Sequence, residues 1–291
     1  MLDNENIISI ENLLDNKKII KSKLLSESFG INCFKILTSD KKNYIIKYYK
    51  NKNQKFNAIK SEADNLIFLN NLKLSFFPKV FSNSKEYLIM SFIENDGLKP
   101  NKTNKDFLNA IVSIHKFSDE KYGFHFDTQI GGLKQNNEKS SNWVKFYREH
   151  RLGYIYELIN TDNPMERSIN KKIEKLLKNL ENFIPSQPKV SLLHGDLWEG
   201  NILFNKKSFK SFIDPGSFYG HNEMEVAYLR WFNPSFIDNN FLEKYNEYII
   251  LDKNYLDYEM VYQLYYSLCN VYLWDRSFIF NTKKLLERLK I

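Results

Sequence analysis

The most constraining feature is a polar-punctuated apolar stretch in the second half of the chain. It runs Leu192-Leu193-His194-Gly195-Asp196-Leu197-Trp198-Glu199-Gly200-Asn201-Ile202-Leu203-Phe204 and then Ser211-Phe212-Ile213-Asp214-Pro215-Gly216. Asp196 and Asn201 stand in a short turn between two apolar runs, and Asp214 ends a third. A structural aspartate that only caps a turn would explain Asp196 but neither Asn201 nor Asp214. The spacing His-x-Asp-x-x-x-x-Asn followed by Asp-Pro-Gly is that of a phosphoryl-transfer site. One carboxylate accepts the proton of an attacking hydroxyl, while an amide oxygen and a second carboxylate hold magnesium against the phosphates of ATP. Asp196 is the candidate base, and Asn201 and Asp214 are the candidate metal ligands. His194 is read as a brace for the loop.

The first part of the chain supplies what such a site needs. An apolar pattern over residues 1–14 predicts a helix, and Lys18–Leu25, Asn32–Thr38 and Asn43–Tyr49 read as strands. The joint Ser26-Glu27-Ser28-Phe29-Gly30 lies where a phosphate-covering loop would sit, although it has one glycine only and also suits a plain hairpin. Lys47 falls inside the third strand, and Glu62 falls on the apolar face of a helix predicted from about residue 56 to 71. A buried acid needs a partner, and Lys47 is the natural one. In strand-then-helix order the two match the lysine–glutamate pair that positions ATP in kinases. Two further strands, Lys79–Ser82 and Glu86–Phe92, end at Met90-Ser91-Phe92. Backbone groups there suit either adenine binding at a hinge or an ordinary strand end.

From Thr103 the pattern turns helical. Thr103 to Asp106 resembles a capping box, and the helix over Phe107–Phe117 buries His115, read as a core histidine. Residues 118–142 read as a long loop. Asn142–Tyr156 and Met165–Phe183 read as helices, Val190–Leu193 as a strand, and the chain beyond Glu223 as helical with a core stripe over Tyr258–Trp274. The expected fold class is therefore α+β: a two-lobed protein-kinase-like fold. A β-rich nucleotide-binding lobe covers residues 1–92, and a mainly helical lobe covers 93–291, with the nucleotide in the cleft between them.

Composition narrows the function classes. The net charge of +7 comes from scattered Lys and Arg rather than a basic tail, which disfavours a nucleic-acid partner. No apolar run is long enough to span a membrane. The N-terminal residues are polar and acidic, unlike a secretory signal. Cys33 and Cys269 have neither the spacing of a zinc site nor that of a disulfide framework. A cytoplasmic setting is expected, with a chain that is a monomer or a weak homodimer.

Protein kinases are disfavoured, because no Arg precedes Asp196 and no Ala-Pro-Glu follows Asp214. His-Gly-Asp is the small-molecule version of the loop. More closely, Leu193-His194-Gly195-Asp196-Leu197-Trp198-x-Gly200-Asn201 resembles the signature of the fructosamine (ketosamine) 3-kinase family. The resemblance continues in Asp214-Pro215-x-x-x-Tyr219-Gly220-His221-x-Glu223-x-Glu225-x-Ala227. It extends to Tyr122-Gly123-Phe124, Ile130-Gly131-x-x-x-Gln135-x-Asn137, Trp143-Val144-x-Phe146-Tyr147, Arg151-Leu152 and Tyr262-Gln263-Leu264-Tyr265-Tyr266, and so covers essentially the whole chain. The segment Glu27-Ser28-Phe29-Gly30-Ile31-Asn32 is poorer in glycine than the family's phosphate loop, and Cys33 falls just after it, near where some members carry a redox-active cysteine.

The resemblance implies ATP- and Mg2+-dependent phosphorylation of the third-carbon hydroxyl of a small-molecule or protein-bound ketosamine. A phosphate placed there is a good leaving group, so the product can eliminate and release the amine, which implies a role in deglycation. Under the same resemblance Gln135, Asn137 and His221 join the acceptor side. Trp198 either stacks on the sugar or packs in the core. Two other readings remain open at this point: a kinase for an aminoglycoside, choline or homoserine, and a catalytically silent binding module of the same fold.

Overall fold

The computed structural model describes residues 2–50 and 56–291; Met1, the first residue of the expected N-terminal helix, lies outside them. The described residues form eleven strands and ten α-helices, which divide into two compact units. Unit 1 comprises residues 1–98, 128–134 and 201–216, and unit 2 comprises 99–127, 135–200 and 217–291. The division falls after Gly200, within the stretch from Leu192 to Gly216.

Unit 1 is built on an antiparallel sheet in the order β1 (Ile19–Ser28), β2 (Ile31–Thr38), β3 (Asn43–Tyr49), β5 (Tyr87–Ser91), β4 (Val80–Asn83). The central strand β3 is buried on both faces. Its even positions Tyr44, Ile46 and Tyr48 join Phe34, Ile36, Tyr87 and Ile89 in one apolar cluster, covered by Ile10 and Leu14 at the end of α1 (Asn4–Leu13). Strand alternation sends the odd positions, Lys47 among them, to the opposite face. There α2 (Ala58–Asn71) packs against the sheet, started by Asn57, whose side chain accepts from the Lys60 N–H. The joint between β1 and β2 is a two-residue hairpin turn, because Phe29 and Gly30 both have positive φ (51° and 73°). That is the geometry whose twist matches paired strands. The hairpin of β9 (Ile202–Asn205) and β10 (Ser208–Phe212) also belongs to this unit. It is fixed by Phe212 N–H and Ser211 Oγ, both donating to the Phe76 carbonyl.

Unit 2 is mainly helical. It holds α3 (Lys105–His115), α4 (Trp143–Tyr147), α5 (Gly153–Asp162), α6 (Arg167–Lys178), α7 (Asn222–Phe232), α8 (Phe241–Asn246), α9 (Tyr255–Leu273) and α10 (Ile279–Arg288). Helix α9 is buried along 14 of its 19 residues and packs against α5, α7 and α10. An all-round apolar helix of this kind forms the centre of a bundle rather than a surface. Strand β8 (Val190–Leu193) pairs with β11 (Phe218–His221) and ends immediately before His194.

Four local expectations change. Helix α3 is capped by Asn104, whose Oδ1 accepts from the Asp106 and Phe107 N–H groups; Thr103 instead pairs with Asp238, donating its N–H to the carboxylate (3.0 Å) and accepting the Asp238 N–H on its hydroxyl (3.5 Å). Residues 118–142 contain a short hairpin, β6 (Thr128–Ile130) and β7 (Leu133–Gln135). The helix from residue 143 passes through a π turn over Arg148–Leu152, where the missing Cβ of Gly153 admits the Arg148 carbonyl. Trp274 ends the core stripe but is 59% exposed.

Candidate active site

In unit 1 the site begins with Lys47. Its ammonium is 2.8 Å from both Glu62 carboxylate oxygens and 2.6 Å from Asp214 Oδ1. Lys47 sits between Cys33 of β2 and Leu88 of β5 in strand register, so the sheet fixes its stem, while α2 delivers Glu62 from above. Asp214 follows β10 with a positive φ of 56°, a strained choice for a residue other than glycine. Burial opposes the Lys47 charge, but Asp214 and Glu62 outweigh it and raise its pKa, so the ammonium is permanent. Glu62 is pushed up, first by burial and then by the Asp214 carboxylate, against the opposing pull of Lys47. Two carboxylates share one cation, and the cluster is short of positive charge.

Asn201 is buried beside this cluster in the chain path: the Ile213 N–H donates to its carbonyl at 3.0 Å, tying the turn after Gly200 to the segment that carries Asp214. Among the described residues no group of three or more His, Cys, Asp or Glu could hold a metal. An amide oxygen and a carboxylate, completed by water and phosphate oxygens, are nevertheless the hard donors magnesium takes. The negative excess on Asp214 and Glu62 also suits a divalent cation, so these residues fit the ion.

In unit 2 the loop that carries Asp196 hangs from one buried carboxylate. Glu225 on α7 accepts the His194 N–H (3.0 Å) and the Gly195 N–H (2.8 Å), one on each oxygen. His115 Nε2 approaches the same carboxylate at 3.0 Å. Burial alone would raise the Glu225 pKa, but His115 and the backbone donors hold it below the usual range. Tyr245 lies 2.7 Å from His115 Nδ1, and its oxygen accepts the Asn222 amide at 2.9 Å. The ionised Glu225 can only accept, so Nε2 carries a proton toward it, and in the neutral imidazole Nδ1 then accepts from the Tyr245 hydroxyl. His115 is a core histidine, as its position in the helix suggested, and it also helps hold the loop. Gly195, with φ 89°, makes the sharp turn. Asp196 follows, half-buried, with its own N–H 3.3 Å from His194 Nδ1 and the Tyr228 hydroxyl 3.4 Å from its Oδ1.

The remaining expected residues fall into three groups. Trp198 is half-buried, 5.9 Å from the Phe232 ring, and lies over Gly200, where an added Cβ would meet the indole at 2.4 Å. Met90 is buried in β5; the Ser91 N–H donates to the Lys79 carbonyl at 2.9 Å, and Phe92 lies 3.6 Å under the Lys35 ammonium. Gln135, Asn137 and His221 are buried and have internal partners. Gln135 accepts the Tyr265 hydroxyl. Asn137 is 1% exposed, with its oxygen on Arg151 (2.6 Å) and its amide on the Phe126 carbonyl (3.1 Å). His221 faces Tyr262 at 2.8 Å, and burial pushes its pKa down to about 3, so it stays neutral. Burial likewise pushes the Cys33 thiol up to about 11, which keeps it protonated.

Sequence reasoning missed Tyr228, a partner of the loop, and Tyr245, a partner of His115, because a tyrosine in an aromatic-rich helix carries no distinguishing signal. It also gave no role to Arg151. That guanidinium is fully buried, lies 3.9 Å over the Phe218 ring, and reaches the Asn136 carbonyl at 2.9 Å, close to Asn137.

With this geometry in place, comparison with known proteins is informative. A family model described as fructosamine kinase matches residues 6–291. The chain belongs to the fructosamine kinase family. It is an ATP-dependent phosphotransferase of the ketosamine kinase type, and the silent-module reading is set aside. A probable ketoamine kinase of Enterococcus faecium is 31% identical over 206 residues, covering 69% of this chain and 71% of the relative. The chloroplastic protein-ribulosamine 3-kinase of Arabidopsis thaliana is also 31% identical, over 69% of this chain and 61% of its own. A solved structure from Thermobifida fusca, a fructosamine-3-kinase candidate, superposes with a TM-score of 0.88 at 21% identity over 99% of both chains. The gentamicin complex of APH(2")-IIa gives a TM-score of 0.65 at 19% identity, over 99% of this chain and 96% of its own. At these identities the structural likeness shows the protein-kinase-like fold. Among the described residues no helix is long and apolar enough to cross a membrane.

Proposed function

We propose that this kinase transfers the terminal phosphoryl group of ATP to the third-carbon hydroxyl of a ketosamine, small or protein-bound, and that its product feeds deglycation. The observation that carries the reading is the Lys47 ammonium shared between Glu62 and Asp214, the arrangement that phosphoryl transfer uses to position phosphates. Unit 1 then serves the nucleotide, and unit 2 supplies the base and the acceptor side. Lys47 binds the phosphates and Glu62 holds it in place. Asn201 and Asp214 hold magnesium, which when bound neutralises phosphate charge. Asp196 accepts the proton of the acceptor hydroxyl as its oxygen bonds to phosphorus and the bond to ADP breaks. Trp198, half-buried beside the loop, offers a ring face to the sugar.

The acceptor class is supported by the family and by relatives whose names specify ketoamine and ribulosamine. A reducing cytoplasm suits Cys33 and Cys269, which both stand free. The test is a panel of hydroxyl acceptors with ATP and Mg2+, read by ADP formation. Ribulosamines and fructosamines are expected to turn over well above aminoglycosides, choline and homoserine. Turnover of one of the latter without any ketosamine turnover would overturn the acceptor assignment.

A further inference from the structure

We propose that Tyr228 is the positioning residue that sets the Asp196 carboxylate for proton acceptance. The inference rests on the reading of Asp196 as the base. Tyr228 lies on α7 one turn beyond Glu225, so the two side chains leave the same face of the helix. Glu225 grips the backbone of the catalytic loop at His194 and Gly195, and the Tyr228 hydroxyl reaches Asp196 Oδ1 at 3.4 Å. One helix face therefore fixes the loop twice, at its backbone and at its reacting side chain.

The ring of Tyr228 has little freedom. It is 4% exposed, lies flat on Tyr266 with centroids 3.5 Å apart and planes 5° apart, and meets Phe232 at 5.3 Å. The hydroxyl must also be a donor. Burial first, and then the neighbouring Asp196 charge, raises the phenol pKa well above its usual value, so the proton stays on the phenol. A hydrogen bond donated to a carboxylate orients it and favours its ionised form. Such a contact is often long in the absence of substrate and tightens when the reacting groups assemble. Ionisable groups near Asp196 include His194 on its own loop and Tyr265 and Cys269 on α9, both of which sense its charge. The Tyr228 hydroxyl meets the Asp196 carboxylate directly.

The experiment is steady-state kinetics of Tyr228→Phe with ATP, Mg2+ and a turned-over ketosamine across pH, alongside Tyr266→Phe and Asp196→Asn. Tyr228→Phe keeps the ring stack and removes the hydroxyl. We expect kcat to fall about 10- to 100-fold, the range of a hydrogen bond to a charged group. The KM for ATP should be unchanged, and the acid limb of kcat/KM should move to higher pH. Tyr266→Phe, which removes a buried hydroxyl with no partner among the described residues, should match the parent enzyme. Adding Tyr228→Phe to Asp196→Asn should cost nothing further. If Tyr228→Phe fails to fold, 3-fluorotyrosine at position 228 keeps the hydroxyl, strengthens it as a donor and should move the acid limb to lower pH. An inactive Asp196→Asn together with a Tyr228→Phe enzyme whose kcat and pH profile superimpose on the parent would overturn the Tyr228 assignment alone. Turnover surviving in Asp196→Asn would overturn the base assignment and the inference with it.

Discussion

Two buried glutamates stand behind the two halves of the proposed chemistry, and they are compensated by opposite means. Glu62, 2% exposed on α2, is compensated by one ammonium that it shares with Asp214. Glu225, fully buried on α7, is compensated by two backbone N–H groups and a histidine that donates from Nε2. The first arrangement leaves negative charge in excess, and the Glu62 pKa is raised. The second surrounds a carboxylate with donors, and the Glu225 pKa is lowered. The contrast teaches that burial does not by itself set the state of an acid; the balance of donors against neighbouring charge does. It also separates two tasks. A cluster short of positive charge is prepared for a cation, whereas a saturated carboxylate is a fixed clamp.

Each side can be broken on its own. The largest expected effect is on the clamped loop: Asp196→Asn should lower kcat about 10³-fold, in the range of lost general-base catalysis, with nucleotide binding by equilibrium dialysis unchanged. Glu225→Gln turns an acceptor-only group into one that presents N–H to N–H, and should cost about 3 kcal/mol in urea unfolding. A loss below about 1 kcal/mol would mean the clamp is not structural. On the other side, Lys47→Met should reduce kcat/KM for ATP about 10²-fold, the scale of losing one electrostatic donor, while the KM for the ketosamine holds.

The two acids should also differ in pH dependence. Glu225, with its pKa lowered in the fold, contributes stability above its ordinary 4.5 that is lost as pH falls through the folded value. Glu62, with its pKa raised, contributes stability below 4.5 that declines as pH rises toward its folded value. Urea melts of Glu225→Gln and Glu62→Gln against pH should therefore deviate from the parent in opposite directions. The smallest effect belongs to a surface pair of the same chemistry: Glu181→Gln, opposite Arg148 at 2.6 Å but half-exposed, should change stability by less than about 1 kcal/mol.

Lys47 and Glu62 were legible in the sequence because an acid on an apolar helix face demands a partner. Asp196, Asn201 and Asp214 were legible because polar residues between apolar runs are conspicuous. The loop clamp was not, although Glu225 lies within the recognised motif: the donors it binds are backbone N–H groups, which carry no residue identity. Asn104 and Thr103 are both good helix caps by type, and Asp238, the partner that Thr103 pairs with instead, lies far along the chain. Gln135, Asn137 and His221 look like surface chemistry in a motif, yet each is buried with internal partners. Residue type gives chemical capacity, while burial decides whether a substrate can use it.

The central claim is most directly tested by the position of the transferred phosphate. A fructosamine labelled with 13C at its third carbon, incubated with ATP, Mg2+ and the enzyme, should give a product in which the proton on the labelled carbon shows three-bond coupling to phosphorus. Phosphorus coupled instead to a proton on an unlabelled carbon, or a free ketosamine left unchanged while a different alcohol is phosphorylated, would contradict the account.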